Sequence, residues 1–378
     1  MKIVGIVAEY NPFHKGHAYQ LQKVREIYGE DTAVVCVMSG DFVQRGEPAV
    51  FSKFARAEAA VRCGADLVIE LPLHYSIASA ERFADGAVSV LGRLGVVEHL
   101  VFGCETDNFE LLERTAEVLS TKEFDETVKV ALESGCSYPA ARSMALRQLI
   151  NDNDLTTTPN NNLGIEYIRA IHRHGFSMKP HSILRVGAMH DADYDGEMKS
   201  GSQLRRLLTD CNDIKEFVPE QAYDVYLREK KDGKGPVYLK KLESAMLSRL
   251  RMMSFDAYAR LPDAVEGLEH KLYKACRKET NLEKIYDTVK SKRYTHARIR
   301  RMVMCAVLGI AASDYEKDGF YARVLALNER GARVLKLSEK QRTIEVISKP
   351  SAAREMSDER LALFCKAADA FTIISQSR

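Results

Sequence analysis

At 378 residues the chain exceeds what one hydrophobic core usually organises, so two domains are expected. Hydrophobic residues make up 46%, yet no apolar run approaches the roughly 20 residues of a membrane-spanning helix, which argues for a globular protein without membrane contacts. Lysine plus arginine total 55 against 53 aspartate plus glutamate, so bulk charge advertises no polyanionic partner. Eight cysteines without a CxxC pair suggest neither a zinc knuckle nor a disulfide framework. The first residues run straight into a strand, leaving no room for a signal peptide, and a reducing cytoplasm fits both observations.

The spacing of apolar residues predicts strand and helix in alternation through the N-terminal half. A strand over 2–9 leads to a helix from residue 17, whose Leu21, Val24 and Ile27 form one stripe. A second strand spans 32–38, and a helix follows from Ser52, an N-cap, to residue 63. A third strand over 66–71 stops at Pro72, a helix covers 79–94, and a fourth strand over 99–102 ends at Gly103. Continuous apolar strands separated by helices indicate a parallel sheet covered on both faces, a Rossmann-like α/β domain. Residues 109–149 read as helical, 151–162 as a polar break, 163–174 as helix and 179–186 as the last strand. Beyond about residue 208 the alternation gives way to helices over 239–253, 266–277, 282–289 and 295–308, then a mixed tail. The expected organisation is therefore a Rossmann-like α/β domain over 1–210 and a mainly α-helical domain over 211–378, with the EKKDGKGP stretch (229–236) as the most linker-like segment between helices.

The first strand empties into a loop ending His14, Lys15, Gly16, His17, where the next helix should begin. Backbone N–H groups converge at such a junction, a glycine leaves room for a phosphate, and imidazoles can hydrogen-bond a transferring phosphoryl group. The loop resembles the HxGH signature of the nucleotidyltransferase superfamily, which includes the class I aminoacyl-tRNA synthetases; two surface histidines capping a helix are the plainer alternative. MSGDFVQRGEPA (38–49) follows the second strand and puts Asp41 and Arg45 at the same sheet edge, as substrate contacts or as a local salt bridge and turn. KSGSQLR (199–205) starts a helix after the expected last strand, so Ser200, Ser202 and Arg205 can hold phosphates there or simply cap the helix. It resembles the SSTxIR motif of nucleotidyltransferases, with Gly201 and Ser202 as departures. KLSEK (336–340) resembles the KMSKS loop of synthetases but lies too far from the sheet order for that role, and is read as surface.

Basic residues crowd 290–301: Lys290, Lys292, Arg293, Arg298, Arg300 and Arg301 surround Tyr294 and His296. Such a patch on a nearly neutral chain suits RNA phosphates, gripped by Lys292, Arg293, Arg298 and Arg301, and equally suits a solvated helix face.

Together, AEYNPFHKGH, MSGDFVQRGEPA, ADLVIELP, VFGCE, PNNNLGIEYIRAI, ILRVGAMHD, SGSQLR and SKRYTHARIRRM resemble the tRNA(Met) cytidine acetate ligase family over most of the chain. The resemblance implies an enzyme that forms acetyl-adenylate and pyrophosphate from acetate and ATP, then acetylates N4 of the wobble cytidine of elongator tRNA(Met). It also implies an ATP site at Val7, Ala8, Glu9, Tyr10, Asn11, Pro12, Phe13, His14, Gly16, His17 and Gln20, with later contacts from Gly103, Arg185 and one of Asn160 and Asn161. Acetate is a weak nucleophile, so catalysis means alignment and charge stabilisation, tasks that suit His14, Lys15, His17 and Arg205. Mg²⁺ is expected to accompany ATP, although no acidic cluster names a protein ligand. The sequence leaves the oligomeric state open. A small-molecule adenylyltransferase of nicotinamide or pantetheine type would leave the basic helices without a purpose, and an inactive RNA-binding relative would leave HKGH and SGSQLR without one.

Overall fold

The computed structural model describes residues 1–136, 138–151, 155–185, 199–291, 294–316 and 320–349, with positions 369, 371, 372 and 375 of the tail. The N-terminal alternation appears as β1 (Ile3–Ala8), α1 (Lys15–Tyr28), β2 (Ala33–Ser39), a short hairpin of β3 (Phe42–Val43) and β4 (Glu47–Pro48), α2 (Lys53–Arg62), β5 (Leu67–Leu71), α3 (Leu73–Ser76), α4 (Ala80–Arg93) and β6 (His99–Cys104). The stretch expected as one helical region is three helices, α5 (Phe109–Val118), α6 (Lys122–Glu133) and α7 (Tyr138–Ile150). The helix expected from residue 163 starts four residues earlier, as α8 (Pro159–His174), because Pro159 occupies its first turn, where a missing N–H costs nothing. Then come β7 (Lys179–Leu184), α9 (Gly201–Thr209), α10 (Glu220–Lys231), α11 (Glu243–Met252), α12 (Phe255–Ala259), α13 (Leu268–Lys278), α14 (Leu282–Val289), α15 (His296–Leu308), β8 (Ala322–Leu327), α16 (Glu329–Ser338) and β9 (Val346–Ile347).

The sheet order is β7-β6-β1-β2-β5-β8-β9. The first five are parallel neighbours, with β1 matched to β2 from Ile3↔Ala33 to Ala8↔Met38 and to β6 on its other side. Strand period separates the two layers: Ala33, Val35 and Val37 of β2 face a core shared with α4 and α8, while Val34, Cys36 and Met38 face one shared with α1, α2, α9 and α10. This is the expected doubly wound α/β arrangement. Its switch point lies beside β1, where chain connections depart to opposite sides and ligands bind beyond the carboxyl ends of the strands.

β7 is not the last strand. β8 joins antiparallel to β5 (Leu67↔Leu327) and β9 pairs with β8, so residues 322–347 return to the sheet. A cut at residue 210 therefore does not separate sheet from helices. The physical reason is that β5 would otherwise be an edge strand whose residues are all buried, and ARVLAL supplies the missing ladder. A third core joins Met246, Leu250, Leu272, Ile285, Ile299 and Val303 of the C-terminal helices to Phe42, Val43, Leu73 and Ile77 of the N-terminal half.

Candidate active site

The β1–α1 loop builds its own geometry. His14 caps α1: its Nδ1 accepts the Gly16 N–H at 3.1 Å, and His17 Nδ1 accepts the His14 N–H at 3.2 Å in a reciprocal capping box. The two rings stack with centroids 3.7 Å apart and planes 24° from parallel. Burial, then the charges of Arg185 and Arg205, push His14 down to about 3. Burial, then His14 and Arg185, hold His17 well below the usual imidazole range. Both rings are therefore neutral at pH 7, and since each Nδ1 accepts a backbone N–H, each proton must sit on Nε2. The pair is a fixed twin donor, both members of which line one cavity of about 430 Å³.

Buried groups behind the loop hold it in place. The guanidinium of Arg56 is fully buried and donates to the carbonyls of Glu9, Ser39, Gly40 and Phe51, tying together the carboxyl ends of β1 and β2. Asn11 Oδ1 accepts the Val50 N–H at 2.9 Å, and the Tyr226 hydroxyl of α10 accepts the Phe13 N–H at 2.8 Å. Pro12 and Phe13 are thus buried supports and not cavity walls, while Lys15 is exposed on the first turn and off the lining. Val7, Ala8, Glu9, Tyr10, Asn11, Gly16 and Gln20 line the cavity.

Across the loop, α9 begins with Ser200 as its cap, its hydroxyl accepting the Gln203 N–H at 3.3 Å. Arg205 donates to the Asn11 carbonyl at 2.8 Å and to the Ser202 hydroxyl at 3.1 Å, which aims the second motif at the first. Ser200, Ser202, Arg205, Lys199 and Arg185 all line the cavity, so three loops distant in sequence converge there. Gly103, next to last in β6, also lines the cavity, and a Cβ there would come within 3.2 Å of the Arg185 side chain. Glu105 accepts the N–H groups of Asn160 and Asn161, at 3.3 and 2.8 Å, and so caps α8. Asn160 lines the cavity and also donates its side chain to Glu105; Asn161 is buried, its Oδ1 accepting the Glu105 N–H at 2.8 Å.

Two expectations need correction. Asp41 does not face the cavity: it is buried, accepts the Lys53 N–H at 2.9 Å and pairs with Lys53 Nζ at 3.1 Å. Lys53 in turn meets Glu70 at 2.8 Å, and Glu70 meets Arg323 of β8 at 3.3 Å. Burial opposes the charge on Lys53, but Glu70 and Asp41 outweigh it and the amine is raised. The basic cluster is also largely committed. Arg298 donates to the Asp263 carbonyl at 3.2 Å, Arg300 pairs with Glu47 at 2.9 Å, and Arg301 is partly buried, with burial pushing its guanidinium down. Lys292 and Arg293 lie outside the described residues. Arg45 stands exposed on the cavity lining.

The sequence reading passed over several wall residues. Glu105 closes the quoted VFGCE segment at a strand's carboxyl end, a signal that was available. Leu163 and Tyr167 share a helix face with Asn160, a pattern hidden by starting the helix at residue 163. Burial and the charge of Glu9 keep Tyr167 a phenol. Nothing marked Phe83 in advance.

The whole chain, residues 1–378, matches the HIGH Nucleotidyl Transferase family. It is 38% identical over 363 residues to the tRNA(Met) cytidine acetate ligase of Thermosipho africanus (strain TCF52B), covering 93% of this chain and 85% of that one. Identity is also 38% to the enzyme of that name from Fervidobacterium nodosum (strain ATCC 35602 / DSM 5306 / Rt17-B1), covering 95% and 86%. The chain belongs to the tRNA(Met) cytidine acetate ligase family. Among solved structures, Thermotoga maritima TmcAL bound with alpha-thio ATP superposes with a TM-score of 0.92 at 33% identity, covering all of this chain and 95% of that one. Its apo form gives 0.94 at 34%, covering all of this chain and 96% of that one. The α/β fold with its helical extension is thus that of the ligase family, helical half included.

Proposed function

We propose that this protein condenses acetate with ATP to acetyl-adenylate and pyrophosphate, then passes the acetyl group to N4 of the wobble cytidine of elongator tRNA(Met). The observation that carries the reading is the stacked, neutral His14–His17 pair, facing Arg205 across one cavity in a chain that matches a ligase of that name over 93% of its length. In the first step an acetate oxygen attacks the α-phosphorus and pyrophosphate leaves. The two Nε2–H donors and Arg205 stabilise the charge that builds on the phosphoryl oxygens. In the second step the cytidine amine attacks the acetyl carbon, AMP departs, and the amine loses a proton. Neither step needs a covalent enzyme intermediate.

The nucleotide is assigned to the side of Gly103, Asn160, Arg185, Ser200 and Ser202; that the family takes ATP is supported by the Thermotoga maritima relative bound with alpha-thio ATP. Mg²⁺ would travel with the phosphates. Among the described residues no group of three or more His, Cys, Asp or Glu is placed to hold a metal, so the walls suit phosphate oxygens more than a cation. The tRNA is assigned to the helical part of residues 211–378, with Lys292 and Arg293 as its candidate cations. Arg301 is better suited to packing. The expected site of action is the cytoplasm, where tRNA is; among the described residues no helix is long and apolar enough to cross a membrane.

The deciding experiment incubates purified protein with ATP, acetate and total tRNA and analyses the nucleosides by mass spectrometry. N4-acetylcytidine that requires both ATP and acetate is expected. Transfer of AMP to a small acceptor, with unmodified tRNA, would favour the adenylyltransferase alternative.

A further inference from the structure

The β3–β4 hairpin belongs to both halves of the molecule. Phe42 and Val43 sit in the core of the C-terminal helices, whereas Gln44 and Arg45 line the cavity. Gly46 has φ +76°, and a Cβ there would stand 2.6 Å from both the carbonyl carbon of Arg300 and the nitrogen of Arg301, so the turn is pressed backbone to backbone onto α15. Glu47 accepts from Arg300 at 2.9 Å, a partly buried pair. On the cavity side the Gln44 N–H donates to Glu9 at 2.7 Å. Arg45, held between these anchors, is exposed and meets no hydrogen-bonding or ionic partner among the described residues.

Topology places Arg45 away from the other cavity cations. It follows β2, on one side of β1, whereas Arg185 and Arg205 follow β7, on the other side, where β6 and β7 lie. With the nucleotide assigned to the β6–β7 side, an acyl acceptor must arrive from the β2 side, past Arg45 and along α15. We propose that Arg45 grips an RNA phosphate beside the base that enters the cavity, and that the Gly46 seat and the Glu47–Arg300 pair position it there. With the backbone fixed at both flanks, only the Arg45 side chain has to be ordered for its guanidinium to meet a phosphate. Glu47 and Arg300 act through Arg45 and are positioning residues. The proposal rests on the functional reading above.

The test separates acetate-dependent ATP–pyrophosphate exchange, which needs no RNA, from acetyl transfer to tRNA, in the full-length protein. Arg45→Ala should lower kcat/KM for tRNA at least roughly tenfold more than it lowers exchange. It should also reduce the salt slope of tRNA binding by about 0.7–0.9, one phosphate contact. Glu47→Arg and Arg300→Glu should each reproduce the transfer defect with exchange within about twofold of wild type, and the double exchange of charges should restore transfer. Equal losses of exchange and transfer in Arg45→Ala would assign Arg45 to ATP or acetate and overturn the proposal, as would an unchanged salt slope with unchanged transfer. Failure of the charge exchange to rescue would overturn the positioning role. Exchange without any tRNA acetylation by the wild type would instead overturn the functional reading, and the RNA contact with it.

Discussion

Replacing His14 with Asn probes the electrostatics of the β1–α1 loop through stability. Asn keeps an acceptor at the cap of α1, so the Gly16 N–H stays satisfied while the imidazole is removed. In the native wild type His14 is held at about 3, against 6.5 for the ordinary imidazole. Above 6.5 the group is neutral in both states and contributes no pH dependence. As the pH falls from 6.5 towards 3 the unfolded chain binds a proton that the native chain refuses, so stability declines across that window. At pH 5, about 1.5 pH units below the unfolded value, the loss is about 2 kcal/mol at 1.36 kcal/mol per unit. Urea unfolding of both proteins at about pH 7 and pH 5 reads the difference directly, with wild type expected to lose about 2 kcal/mol more than His14→Asn. Parallel losses would refute the reasoning: His14 would then titrate normally in the native state, and its Nδ1 would be free to protonate below about 6.5 instead of accepting the Gly16 N–H.

His14→Ala and His17→Ala should each lower acetate-dependent ATP–pyrophosphate exchange by at least roughly tenfold while circular dichroism stays native; normal exchange in both would remove the loop from the chemistry. Arg205→Ala should weaken ATP binding by calorimetry as well as slow turnover, because the side chain both faces the cavity and holds the Asn11 carbonyl. Unchanged binding and turnover would reduce SGSQLR to a cap. Lys53→Met should destabilise the fold by about 3–5 kcal/mol, since Asp41 and Glu70 would be left buried with the lysine charge gone. A thermal midpoint equal to wild type would mean that water reaches those carboxylates.

The N-terminal strands and the HKGH and SGSQLR motifs were legible because they are local: a run such as TAVVCVM, a histidine cap, a serine cap after a strand. What escaped the sequence reading depends on partners far along the chain. ARVLAL is too short and too isolated to declare itself a strand, and only the uncovered ladder of β5 more than 250 residues earlier makes it one. Asp41 resembled a loop acid available to substrate because nothing local reveals that Lys53 and Glu70 surround it. The basic run resembled a free patch because Glu47, which pairs with Arg300, and Glu266 and the Asp263 carbonyl, which hold Arg298, come from other elements. Charge composition counts ions, whereas availability depends on which are already neutralised within the fold.

The return of β8 to β5 also bears on how the protein is made. During synthesis β1, β2, β5, β6 and β7 have all emerged before residue 322, so the sheet waits with LVIEL of β5 as an open, apolar border. Closing it joins contacts of very high sequence separation, which form late and slowly. A chain stopped before β8 would keep both the HKGH and SGSQLR motifs and still carry an unpaired edge, inviting association with its own copies. The C-terminal segment is thus what makes the sheet safe to release from the ribosome.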